Sequence, residues 1–289
     1  MSLTKEPEIT APTVTPLCPV CSAPGFAEQR LPDCTVCRCG TCGHCFTDLG
    51  SIDGLEEYEA SYFEKEHRNW FRHPNLALYG RLFKIISKHN PSASVLDVGC
   101  GNGNFLRYLQ TRSGSLSLTG IDMAPNELSA GIHYIQGDFL NEKSGRHFDV
   151  LVSLAVIEHI PDVAAFARRL DQLCVPGGLV ITMTVDERSL IYSAARTLNR
   201  AGYATPAKRL YSKHHLNHFT GSSLRRLLEQ QGLSTVKVIR HNSPLAAVDM
   251  PPMSAFRAAI LSTGVWMGFV LGQLMGRTML QTVVSKKSA

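Results

Sequence analysis

The chain of 289 residues lacks an apolar run near its start. Residues 1–16 are rich in Thr, Pro and Glu and have no h-region, so no export signal and a disordered leader are expected. Also missing is any dense basic patch. The net charge is only +5, from 29 Lys+Arg against 24 Asp+Glu, which argues against a nucleic-acid partner. With no export signal the compartment is read as the reducing cytoplasm, which disfavours disulfides among the nine cysteines. The apolar content of 44% suffices for one large core with a small appendage.

Seven of the nine cysteines fall between Cys18 and Cys45. Clustered thiols in a reducing compartment favour metal. The C-x-x-C pairs 18/21, 34/37, 39/42 and 42/45 overlap, so spacing alone does not choose the ligands. A zinc knuckle is commonly trailed by a small residue that lets backbone amides turn toward sulfur. Ser22 and Gly43 select Cys18, Cys21, Cys39 and Cys42, with Cys45 replacing one of them as the alternative. Four thiolates leave no open position, so residues 17–48 are expected to form a zinc-ribbon-like module whose metal is structural.

Residues 49–91 read as a helical linker or cap with aromatic apolar faces, including Trp70, Phe71, Tyr79 and Phe83. Beyond Pro91, short apolar runs at 95–98, 116–121, 133–135, 148–154 and 179–185 alternate with helical stretches at 104–110 and 162–173. That alternation predicts an α/β, Rossmann-like doubly wound sheet across 92–289. A lid insertion is expected at 186–221, a helix at 222–231 and closing strands at 234–240 and 278–285.

The run Val95-Leu96-Asp97-Val98 leads into Gly99-Cys100-Gly101-Asn102-Gly103 and then a helix. Glycines there let backbone approach a ligand at the carboxyl end of a strand. Asp97, Asp122 and Asp138 close three successive strands with no lysine between them, which suits a cationic adenosyl compound better than a phosphate cofactor. The ordered motifs VLDVGCGNGNFL, LTGIDM, IQGDFL, FDVLVSLAVIEHI and LCVPGGLVITM resemble class I S-adenosylmethionine-dependent methyltransferases over roughly residues 55–285. This resemblance implies that Asp97, Gly99, Cys100, Gly101 and Gly103 hold the methionyl part of S-adenosylmethionine. It implies further that Asp122 takes the ribose, and that Met123, Asp138 and Phe139 take the adenine, with Ser153 beside them.

Displacement of methyl from sulfonium to oxygen also needs a proton removed. His159, which follows the fourth strand, and His215 and His218, which follow the insertion, are the candidate bases. Glu158-His159 is similar to a pair in quinone-type O-methyltransferases that bind a metal with a further upstream glutamate. Here Ala155 stands three residues before Glu158, so no catalytic metal is expected. Between 186 and 245, ten basic residues face three acids, which allows an anionic acceptor. The acceptor is expected to be a small molecule or a glycan or lipid precursor. RNA methylation and binding without turnover are the alternatives.

Residues 258–276 carry no charge and place glycines at 264, 268, 272 and 276, along one helix face. The apolar helix, 254–276, is expected to insert between the last two strands and pack on the domain or a second copy as a homodimer. Peripheral contact with a membrane is the other expectation.

Overall fold

The computed structural model describes residues 15–52, 68–142, 145–249 and 253–289. Most of the expected leader and residues 53–67 of the expected cap lie outside them. The chain starts with three short antiparallel strands, β1 (Gly25–Arg30), β2 (Thr35–Cys39) and β3 (Cys45–Thr47). Two cap helices follow, α1 (Arg68–Arg72) and α2 (Leu76–His89). The Asn75 side chain caps α2 by accepting from Leu78 N at 3.0 Å, and the helix buries Leu78, Leu82 and Ile86 at four-residue spacing.

The alternating region unfolds in order as β4 (Ser94–Val98), α3 (Asn104–Arg112), β5 (Ser117–Asp122), β6 (Ile132–Gln136), β7 (Phe148–Leu154), α4 (Val163–Leu173) and β8 (Cys174–Val185). It continues through α5 (Leu190–Arg200), α6 (Thr205–Leu210), β9 (Asn217–His218), α7 (Gly221–Glu229), β10 (Leu233–His241), α8 (Ala255–Leu274) and β11 (Leu280–Lys287). β8 starts five residues ahead of expectation because Cys174 already pairs with Phe148, before an irregularity that precedes the Val150–Leu179 pair.

The large sheet runs β10-β11-β8-β7-β4-β5-β6. β4 to β8 are parallel, whereas β11 is antiparallel to both its neighbours, a reversal that apolar patterning alone does not announce. Along β4, Val95 packs into one core and Leu96 into the other, as period-two alternation requires. One face is covered by α2, α3 and α5, the other by α4 and α7, which makes the sheet doubly wound.

The small sheet runs β1-β2-β3-β9, and its last strand comes from within the expected lid. Cys45 pairs with His218 and Phe46 with Asn217, so the cysteine module is stitched to the large domain by backbone hydrogen bonds. His44 reinforces the seam, with Nδ1 3.3 Å from Ser223 Oγ and Nε2 3.2 Å from Asn217 Oδ1. Glu187, just past β8, completes it. Its buried carboxylate accepts from Arg38 of β2 at 3.1 Å, Arg196 of α5 at 2.5 Å and the Tyr211 hydroxyl at 2.7 Å. Burial raises the pKa of Glu187 and the two guanidiniums oppose that rise.

α8 fills the connection between β10 and β11, as expected for 254–276. A Cβ at Gly268 would fall 2.6 Å from Ile191 Cδ1, and one at Gly272 would fall 2.7 Å from the Arg277 carbonyl oxygen. Those two glycines press the helix onto α5, whereas Gly264 and Gly276 have no such neighbour. Removing the buried Glu187 carboxylate should leave the half-buried Arg196 with no carboxylate and Arg38 with Glu28 alone. Glu187→Ala is expected to cost about 3–5 kcal/mol, read as a shift of the urea midpoint.

Candidate active site

The turn between β4 and α3 is built from left-handed backbone, with φ of 66° at Gly99, 50° at Gly101 and 74° at Gly103. Only glycine adopts these angles readily, so the three positions tolerate little else. Space imposes the same restriction, because a Cβ at Gly99 would strike Val156 and one at Gly101 would sit 2.8 Å from Phe71 Cε1. Asp122, at the end of β5, accepts from Gly101 N at 2.8 Å through Oδ2 and from Ala124 N at 3.0 Å through Oδ1. The carboxylate therefore shapes the turn, and its neighbour Met123 is exposed beside it.

Asp97 is buried at the carboxyl end of β4. Burial, and then the negative charge of Asp122, push its pKa up to about 8. A carboxyl held this way releases its proton to solvent when a cationic group is placed beside it. Cys100 is buried in the same turn, and burial with the two carboxylates raises its thiol. Ser153 Oγ, near the end of β7, is buried without a partner, and so has hydrogen-bonding capacity for a ligand. Asp138 is occupied within its own loop, accepting from Leu140 N at 3.0 Å and Asn141 Nδ2 at 2.6 Å. Phe139 is buried with its ring edge-on to Phe166 at 5.3 Å, part of the core wall behind that loop.

A cleft partly open to solvent lies against Asp97, Gly99 and Cys100. Its far wall is aromatic and comes from the cap: Trp70, Phe71 and Tyr79, with His73 and Asn75. Asn104 Nδ2 donates to the Phe71 carbonyl at 2.8 Å and ties the cap to the glycine turn. The remaining wall includes Leu154, Met183, Leu280 and His241. His241 Nε2 lies 2.9 Å from Thr282 Oγ1 and Nδ1 3.5 Å from Asn75 Nδ2, and burial lowers its pKa to about 4. Both ring nitrogens are thus engaged on a neutral imidazole.

The expected bases lie elsewhere. His159, His215 and His218 form their own cluster, with ring centroids of His159 and His215 4.8 Å apart and of His215 and His218 6.3 Å apart. None of the three lines the cleft, and no cleft residue comes from 186–221. His159 Nδ1 is 2.8 Å from the His214 carbonyl and His215 Nδ1 3.3 Å from that of Leu210. His218 is fully buried against Tyr211, with its pKa held far below the usual value by desolvation. The neighbouring Glu158 accepts from Thr184 Oγ1 at 2.9 Å, and burial pushes it to about 7. The insertion was expected to roof the acceptor. It is held instead against the cysteine module, because its strand β9 finds its hydrogen-bonding edge there. His73 and His241 carry no motif, and their only sequence signals were the aromatic run around His73 and the end of the late strand at His241.

At the cysteine module, the sulfurs of Cys18, Cys21, Cys39 and Cys42 all lie within 4.8 Å of one another. Cys18 and Cys42 are 3.6 Å apart and Cys21 and Cys39 3.5 Å apart, close to the roughly 3.8 Å edge of a tetrahedron with zinc–sulfur bonds of about 2.3 Å. Cys45 points away, to within 3.5 Å of Glu28 and 3.6 Å of Glu187, and Cys34 donates to the Tyr211 carbonyl.

A sheet with one antiparallel strand inserted next to its parallel core, and a glycine turn after its central strand, defines the class I S-adenosylmethionine-dependent methyltransferase fold. The chain belongs to the family described as "Methyltransferase domain", which matches residues 58–238, and it is an S-adenosylmethionine-dependent methyltransferase. It is similar to the Ubiquinone biosynthesis O-methyltransferase of Rickettsia canadensis, 26% identical over 49% of this chain and 68% of that protein. The protein of the same name from Neisseria meningitidis is 35% identical over 34% of this chain and 46% of that protein. The chain thus spans about half to two thirds of the length of these curated relatives. In fold alone it is similar to the Burkholderia thailandensis 1,6-didemethyltoxoflavin-N1-methyltransferase solved with S-adenosylhomocysteine. The TM-score is 0.50 at 12% identity, over 91% of this chain and 99% of that one.

The raised pKa of Asp97 has a consequence for stability. Between pH of about 4 and 8 the folded chain keeps a proton that the unfolded chain has lost, so this group's contribution falls as pH rises through that window, by up to about 1.4 kcal/mol per pH unit. In denaturation series across that range, Asp97→Asn should lose less stability with rising pH than wild type.

Proposed function

We propose that this enzyme methylates an oxygen of a small-molecule precursor bound in the cleft between the glycine turn and the aromatic cap. The observation that carries the reading is the cleft itself. Trp70, Phe71 and Tyr79 offer flat apolar surface, and the cleft opens directly onto Asp97 and Gly99. The names of the relatives from Rickettsia canadensis and Neisseria meningitidis support an oxygen acceptor.

S-adenosylmethionine, when bound, supplies an electrophilic methyl group on a sulfonium. Gly99, Cys100, Gly101 and Gly103 would hold its methionyl part, and Asp97, having released its proton to solvent, would pair as a carboxylate with the ammonium. Asp122 is the ribose partner, held in orientation by the Gly101 and Ala124 amides. Met123, Asp138, Phe139 and Ser153 flank the adenine side. His73, on the cleft wall, is the base that takes the acceptor's proton. The neutral His241, with both nitrogens engaged, positions Asn75 and the cap. His159, His215 and His218 hold the insertion against the cysteine module. Much of the acceleration comes from alignment of the reactants and exclusion of water by the cap.

Cys18, Cys21, Cys39 and Cys42 bind a structural zinc. The remaining free thiols suit a reducing cytoplasm.

Transfer of labelled methyl into fractionated cell extract should place label in a small-molecule or lipid fraction, and Gly101→Val should abolish it. Label in RNA, or no label, would defeat this reading. His73→Gln should lower kcat by about 10²-fold or more with cofactor affinity unchanged, checked by steady-state kinetics and S-adenosylhomocysteine titration. Metal analysis should find zinc lost in Cys39→Ser and retained in Cys45→Ser.

A further inference from the structure

α8 is a 20-residue helix long and apolar enough to cross a membrane, yet little of it is buried. Its glycine face is spent on α5, through Gly268 against Ile191 and Gly272 against Leu190. Beside that face the helix carries Phe256, Ile260, Met267, Leu271 and Leu274, large apolar side chains that fall within about 60° of one another at 100° per residue. Phe256 is 76% exposed and Leu274 79%, and the other three are exposed as well. Among the described residues nothing covers this row. A contiguous apolar strip of this kind marks an interaction surface.

The charge around the strip indicates its occupant. No Asp or Glu occurs between 188 and 228 or between 250 and 289. Exposed basic residues lie near its start instead: Arg257 in the first turn, and Lys208 and Arg209 on α6, which Arg209 ties to the Asp249 carbonyl ahead of the helix by a 2.8 Å hydrogen bond. Two copies meeting through this face would juxtapose like charges, and the small residues that let helices approach closely already face α5. An anionic bilayer satisfies both the apolar strip and its basic flanks. The helix does not span. His241 and Leu280, at the two ends of the connection that contains α8, are paired neighbours, and α5 lies along the helix.

We propose that the outward face of α8 and the flanking basic residues dock the protein on an anionic membrane surface, with α8 lying in the interface. The helix adjoins the cleft. Asn242 Nδ2 donates to the Phe269 carbonyl of α8 at 3.1 Å, and its neighbour His241 lines the cleft. Delivery of the acceptor from the bilayer to the cleft follows, and that part rests on the methyl-transfer reading.

Co-sedimentation of the full chain with vesicles tests the docking, with neither cofactor nor acceptor present. Failure here would therefore leave the methyl-transfer reading standing, and the converse also holds. Binding to phosphatidylcholine vesicles containing phosphatidylglycerol is expected to exceed that to pure phosphatidylcholine and to weaken with salt. Leu271→Gln/Leu274→Gln should lower binding at least about tenfold, and Lys208→Gln and Arg257→Gln about fivefold each, with wild-type thermal midpoints throughout. No binding, binding indifferent to phosphatidylglycerol, or binding untouched by these substitutions would overturn the proposal. A concentration-dependent dimer abolished by Leu271→Gln/Leu274→Gln, without vesicle binding, would assign the face to a second copy instead.

Discussion

A single carboxylate holds this molecule's two sheets in one arrangement. Glu187 is withdrawn from water at the end of β8, which raises its pKa, and Arg196 of α5 and Arg38 of the cysteine module oppose that rise. An ion so placed costs several kcal/mol to desolvate and is tolerated only where its partners are fully in place. The interaction therefore specifies position more than it adds stability. It fixes where the module sits, which fixes where strand β9 finds an edge, which in turn draws the 186–221 insertion toward the module.

That placement leaves the mouth of the large sheet to be covered by other elements. The cap helices α1 and α2 and the loop after β10 surround the cleft beside Asp97. One end of the sheet thus carries two separate polar sites with different electrostatics. On the module side His218, Glu158 and Glu187 are desolvated, with Glu158 engaged by Thr184 and Glu187 by Arg38, Arg196 and Tyr211. On the cleft side, Asp97 is desolvated with a second carboxylate nearby, and its environment favours the arrival of positive charge. The first arrangement suits a rigid joint and the second a cofactor site.

α8 belongs to the same logic. Antiparallel β10 and β11 need a connection of only a few residues, and here it holds a helix of twenty. Two glycines seat that helix on α5, and its large apolar side chains face away from the protein. A helix that is apolar all round, on a domain too small to cover it, leaves one side unsatisfied in water.

Much of this was legible in the residues. The positions of β4, β5 and β7, of α3 and α4, and of the closing pair follow from the local alternation of apolar and polar residues. The glycine turn with its three acids is local in the same sense, since Asp97, Gly99, Gly101 and Gly103 sit within seven residues and need left-handed backbone. The four zinc-type thiols were also readable, because each knuckle is a short C-x-x-C with a small residue behind it. The antiparallel sense of β11, the pairing of β9 with β3, and the presence of His73 and His241 in the cleft rather than His159, His215 and His218 were not. Each depends on groups distant along the chain competing for the same edge or cavity. Sequence alone determined the fold, the cofactor class and the two C-x-x-C pairs whose four sulfurs come together, because each is written in short-range spacing. Only the tertiary structure decided which segment covers the cleft, because strand edges and buried charges are satisfied by whichever distant partner packing brings to them.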